Sequence, residues 1–159
     1  MSIAQGLVKL GQFCRIIEFH YDPGSQSLHM PASLAKALKC QQLSVLCLAF
    51  ANMRNPATRY LATVIEACET LQRLDLSYTY LRDGLMQKLA PALGRCRRLQ
   101  SLDLTKCLLG RDGAHWLPDI FQPALVVLKL SNNHVRTHTG AAVACSLHLA
   151  ERACSCADS

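Results

Sequence analysis

The chain has 159 residues, half of them hydrophobic and 18% charged, with a formal net charge of +6. That composition suits one domain or a short repeat array with a buried core and excludes an intrinsically disordered chain. No run of about 18 apolar residues offers a membrane span. The start, Met1-Ser2-Ile3-Ala4-Gln5, lacks the basic region and apolar run of a secretory signal, so the expected compartment is the cytoplasm, with the nucleus as the alternative.

Residues 1 to 13 read as a helix, with Ile3, Leu7, Val8 and Leu10 on one side at helical spacing. A weak strand follows in Cys14-Arg15-Ile16-Ile17-Glu18-Phe19 and gives way to a turn sequence, His20-Tyr21-Asp22-Pro23-Gly24. From there one pattern recurs. Leu43, Leu46, Leu48 and Met53 form its first full copy; Leu71, Leu74, Leu76, Thr79 and Leu81 stand twenty-eight residues on, and Leu99, Leu102, Leu104, Cys107 and Leu109 twenty-eight beyond that. The last copy is Leu125, Leu128, Leu130, Asn133 and Val135. Between copies lie helical segments marked by apolar pairs at i and i+4: Leu34 and Leu38, Leu61 and Ile65, Leu89 and Leu93, Leu117 and Phe121, Val143 and Leu147. Pro91 and Pro118 are positioned to shorten or kink the third and fourth of these.

A period in the high twenties with Thr, Cys or Asn at the ninth position is the signature of leucine-rich repeats. In such an array the L-x-L centre is a short strand whose alternation turns two leucines inward, and only stacking buries them. The ninth residue satisfies backbone groups at the turn out of the strand; Ala51 departs from that pattern. The expected fold is therefore α/β: a leucine-rich repeat solenoid, a curved horseshoe with parallel strands on its concave face and helices on its convex face. About five repeats, the first degenerate as a cap would be, fill residues 1–150, and 151–159 form a disordered or truncated tail. The ending without a leucine motif or polar cap suggests a fragment, or an array whose exposed end is covered by further repeats, by a partner or by itself.

The 28-residue period, the alternation of strand and full helix, the Cys before the first leucine and forms such as Leu85 to Leu89-Ala90 resemble the ribonuclease-inhibitor type of leucine-rich repeat over roughly residues 14 to 150. That type spans ribonuclease inhibitors, Ran GTPase-activating proteins, innate-immune receptor sensors and axonemal proteins. The resemblance implies a mode of action, the binding of another protein, more than one function.

Aligning the repeats predicts which outward side chains are neighbours. The third positions are Ile16, Val45, Arg73, Ser101 and Val127; the fifth are Glu18, Cys47, Asp75, Asp103 and Lys129. The seventh are His20, Ala49, Ser77, Thr105 and Ser131, and the eighth Tyr21, Phe50, Tyr78, Lys106 and Asn132. An aromatic row of Tyr21, Phe50 and Tyr78 thus lies beside Asp75 and Asp103, with Arg73 and Lys106 at the edges. Grouped exposed aromatics are what interface hot spots are built from, although rings on neighbouring strands also stack simply to support pairing. Asp75 and Asp103, on adjacent strands, are expected to repel and to raise one pKa. No nucleophile completes a catalytic set with them, so the chain reads as a non-enzyme without cofactors.

Most of the nine cysteines take repeat positions, with Cys40, Cys68 and Cys96 each three residues before a first leucine, which favours reduced, structural thiols. Arg95, Arg97 and Arg98 lie away from aromatics and read as a solvated face rather than a nucleic-acid site. Cys145, His148, Cys154 and Cys156 have the residue types of a zinc site but match no closed ligand spacing. The function expected is a non-catalytic interaction module using the concave face. The alternatives are a regulator of a small GTPase acting through loop arginines such as Arg54, Arg82 and Arg111, and a substrate-recognition part of a larger complex.

Overall fold

A computed structural model describes residues 15–18, 42–50 and 57–135. The fold is α/β, with one five-stranded sheet in which every neighbouring pair is parallel and the spatial order follows the chain. The strands are β1 (Ile16–Glu18), β2 (Val45–Cys47), β3 (Arg73–Asp75), β4 (Ser101–Asp103) and β5 (Val127–Lys129). Parallel neighbours need a crossover. Helix α1 (Ala57–Ala67) supplies it between β2 and β3 and α2 (Arg82–Arg95) between β3 and β4; a five-residue helix, α3 (Arg111–His115), and a 3₁₀ turn, Pro118–Ile120, lead to β5.

The expected register holds across the sheet. Ile17, Leu46, Leu74, Leu102 and Leu128 align in one row, flanked by the third-position and fifth-position rows as predicted. Because strand side chains alternate, the leucine row and the sixth-position Leu48, Leu76 and Leu104 face the core, where all but Leu128 of these leucines are buried. The first leucines Leu43, Leu71 and Leu99 and the eleventh-position Leu81 and Leu109 are buried with them. In the last described repeat the same positions, Leu125, Leu128, Leu130 and Val135, are only half-buried.

The helices close the core with stripes at i, i+3, i+4 and i+7. Leu61, Val64, Ile65 and Cys68 come from α1 and its end; Met86, Leu89, Ala90 and Leu93 come from α2. Pro91 lies inside α2 without ending it. Both Pro91 and Gln87, whose carbonyl loses its helical donor, are on the exposed face, where water can hydrate that carbonyl. Pro118 does change its segment: Leu117 and Phe121 flank the 3₁₀ turn instead of sharing a longer helix, because Pro at the first position favours a new turn over continuation. Gly94 permits the close approach of this turn to α2, since a Cβ there would stand 2.4 Å from the Asp119 carbonyl oxygen.

Over its five strands the sheet is not curled, which departs from the expected horseshoe. Curvature in such a stack arises when helices about 8–10 Å apart back strands about 4.8 Å apart. Among the described residues α1 and α2 are the only neighbouring pair of full helices, and α3 is little more than one turn. Among the described residues no helix is long and apolar enough to cross a membrane. The first helix, the segments around Leu34 and Val143, and the tail all lie outside the described residues.

Candidate functional site

Beyond β2, β3 and β4 the chain turns tightly, and the turn is built the same way in each. The ladder continues past the strand through the sixth and eighth N–H groups: Leu48 to the Asp75 carbonyl and Phe50 to that of Ser77, Leu76 to Asp103 and Tyr78 to Thr105, Leu104 to Lys129 and Lys106 to Ser131. Phe50, Tyr78, Lys106 and Asn132 all take left-handed backbone conformations, with φ of 63°, 59°, 53° and 59°. That geometry favours Gly or Asn. Two aromatics and a lysine therefore occupy positions where Asn132 shows what a less strained choice would be.

The ninth residue points the other way and does the structural work foreseen for it. Thr79 donates its hydroxyl to the Leu76 carbonyl at 2.5 Å, and the Cys107 thiol reaches that oxygen from the next repeat at 3.1 Å. Asn133 combines both roles. Its Nδ2 donates to the Leu130 carbonyl (2.9 Å) and to the Leu104 carbonyl of the preceding repeat (2.7 Å), while its Oδ1 accepts from Cys107 N–H (2.9 Å) and Leu109 N–H (3.1 Å). Ala51 lies outside the described residues.

Of the seven residues expected to form the binding face, six are described, and Tyr21 is not. Phe50 and Tyr78 are stacked with ring centroids 4.4 Å apart, and the Lys106 ammonium lies 4.8 Å from the Tyr78 centroid. Both rings stay substantially exposed, at 43% and 39%. Arg73 is exposed on β3, between Val45 and Ser101 in register. Ile16 and Val127 in the same row, and Tyr80 two residues past Tyr78, add exposed apolar surface that the repeat alignment did not single out.

Asp75 and Asp103 are aligned as predicted, but each carboxylate is already engaged. Asp75 Oδ1 accepts from Ser77 N–H at 2.9 Å and Oδ2 from the Cys47 thiol at 3.7 Å. Asp103 Oδ1 accepts from Thr105 N–H at 3.0 Å, and Oδ2 lies 3.1 Å from the Lys129 ammonium. The expected upward shift is not what Asp103 shows: burial pushes its pKa up, but the Thr105 hydrogen bonds and Lys129 outweigh it, and the pKa falls below its ordinary value. The Asp-x-Ser and Asp-x-Thr spacing, in which a carboxylate accepts the N–H two residues on, was the available signal for this role.

Cys47, Cys68, Cys96 and Cys107 are thiols. Burial pushes the pKa of the last three up to about 11, so they stay neutral and poorly nucleophilic at ordinary pH. Arg95, Arg97 and Arg98 line an open cleft of about 410 Å³ together with Glu66 and Glu69, and Arg95 is ion-paired with Glu66. Arg82 and Arg111 are exposed. Arg54 and the C-terminal Cys and His residues lie outside the described residues. In comparisons with known proteins, no family model matches the chain and no curated protein is significantly similar to it.

Proposed function

We propose that the chain is a leucine-rich repeat protein of the ribonuclease-inhibitor type, its repeats stacked as a solenoid, and that it is a non-catalytic module binding another protein through the outward face of its sheet. The observation that carries this reading is the Phe50–Tyr78 stack with Lys106 over it, exposed at positions where the backbone is left-handed. Left-handed non-glycine residues cost roughly 1–2 kcal/mol each. Stacking returns about 0.5–1.5 kcal/mol and an exposed cation–π contact about 0.5–1 kcal/mol, so fold stability alone does not favour bulky side chains here over Asn. A rigid aromatic pair is, however, the kind of anchor on which interfaces concentrate their energy.

The carboxylates of Asp75 and Asp103 have a structural use, each accepting the N–H two residues on, which supports a non-catalytic reading. Neutral thiols fit a reducing compartment, the cytoplasm or the nucleus. The test is affinity capture from the source cell with wild-type, Tyr78→Ala and Arg97→Ala baits, folding being checked by circular dichroism. For a protein retained by wild type, Tyr78→Ala weakens binding by about 2 kcal/mol or more, and Arg97→Ala leaves it nearly unchanged. Equal losses, or loss from Arg97→Ala alone, would move the site to the arginine-lined cleft.

A further inference from the structure

We infer that the partner presents an acidic, apolar segment to this face, its apolar side chains on Phe50 and Tyr78 and its carboxylates on Lys106 and Arg73. The inference rests on the proposed use of the sheet face and adds the chemistry of what binds there. It follows from which charges on the face are still open. Of the two central carboxylates, Asp103 is paired with the Lys129 ammonium, whereas Asp75 is half-buried and held by Ser77 N–H and the Cys47 thiol, neither of which offsets its charge, so two cations stand open against one central carboxylate. Among the described residues, no carboxylate lies within ion-pair distance of Arg73 or Lys106.

A partner covering the rings must also cover these two cations, and desolvating a cation without an opposing charge is unfavourable. A basic segment would bring its lysines against both cations with only Asp75 of the central pair to offset them, which selects against it. The Lys106 ammonium is held over the Tyr78 ring but spends none of its N–H donors on a carboxylate, so it can offer them beside the aromatic anchor. Arg73 lies five residues upstream of Tyr78 on the same repeat. The two cations thus bracket a stretch of the order of 15 Å, which an extended segment spans in about five residues.

The probes are three synthetic peptides of roughly 12 residues, with Leu and Phe alternating with Glu, with Lys or with Gln, titrated against the full chain at about 0.15 M salt. The Glu peptide is expected to bind at least about tenfold more tightly than the Lys peptide, a difference typical of charge selection. Lys106→Ala and Arg73→Ala, each checked for folding, are expected to weaken the Glu peptide several-fold without affecting the Gln peptide, and Arg97→Ala to leave it unchanged. Phe50→Ala is expected to weaken Glu and Gln peptides alike. Equal affinities for Glu and Lys peptides, no measurable binding of the Glu peptide, or a loss on Arg97→Ala rather than Lys106→Ala would each overturn the inference. If Glu and Gln peptides bind alike, depend on Tyr78 and ignore Lys106, the acidic partner falls while the face remains the site; if no binding depends on Tyr78, both fall.

Discussion

Positions eight and nine of each repeat are neighbours in sequence and opposites in use. Thr79, Cys107 and Asn133 turn inward: Thr79 bonds a carbonyl of its own repeat, and Cys107 and Asn133 reach carbonyls of the repeat before. Phe50, Tyr78 and Lys106, one residue earlier, turn outward and touch mainly one another. The left-handed residue reverses the chain so that these adjacent side chains leave on opposite sides. What the contrast teaches is that the ninth side chains are tied to backbone groups while the eighth ones satisfy none, so the residues at the eighth position are free to be chosen for something other than stability.

The largest effect is expected where neither position is touched. Leu102 is fully buried between β3 and β5, so Leu102→Asp places a charge in a core shared by three repeats. An unpaired buried carboxylate costs several kcal/mol, comparable with the whole stability of a domain at about 5–15 kcal/mol. The variant should show no cooperative melting transition. A wild-type transition would mean that the inward row is misassigned.

A sharper test uses two adjacent asparagines. Asn133→Ala leaves two N–H groups and two carbonyls without their side-chain partner and should cost roughly 3 kcal/mol. Asn132→Ala removes a side chain from an exposed, left-handed position and should cost about 1 kcal/mol. Denaturant titration of both variants measures the gap, and a reversed order would break the division between the two positions.

Much of this was legible because a recurring leucine motif converts sequence position into register. Once Leu46, Leu74, Leu102 and Leu128 are equated, the neighbours of every outward residue follow, and β1 to β5 pair accordingly. Periodicity says less about what fills the connections. Pro91 and Pro118 carry the same warning in sequence, yet only Pro118 redirects its segment: Pro91 sits on the exposed face of a helix that continues past it, whereas Pro118 opens a separate 3₁₀ turn. The aspartates were misread for a related reason: repetition showed Asp75 beside Asp103, but the nearer partner, the N–H two residues on, is a local turn property that a repeat alignment does not weigh.

That local role predicts a smaller, pH-dependent effect. With a folded pKa below its ordinary value, Asp103 stabilises the fold above its unfolded pKa of about 4, and the contribution is lost as pH falls through the folded pKa. Asp103→Asn should therefore lower the melting temperature most near neutral pH, and the two proteins should converge on acidification below about pH 4. A gap that widens at low pH would contradict the assignment.

The smallest effect on stability belongs to the residue with the largest expected effect on binding. Tyr78→Asn copies into the third repeat the residue that Asn132 places at the equivalent position with the same φ of 59°. It gives up stacking worth about 0.5–1.5 kcal/mol and relieves a comparable left-handed strain of roughly 1 kcal/mol. Melting and affinity should be measured on the same sample, the affinity being for the protein that the wild-type bait retains. The account predicts a melting temperature near that of wild type together with a loss of binding of about 2 kcal/mol or more, roughly thirtyfold in Kd. Unchanged binding by a fully folded Tyr78→Asn protein would contradict it.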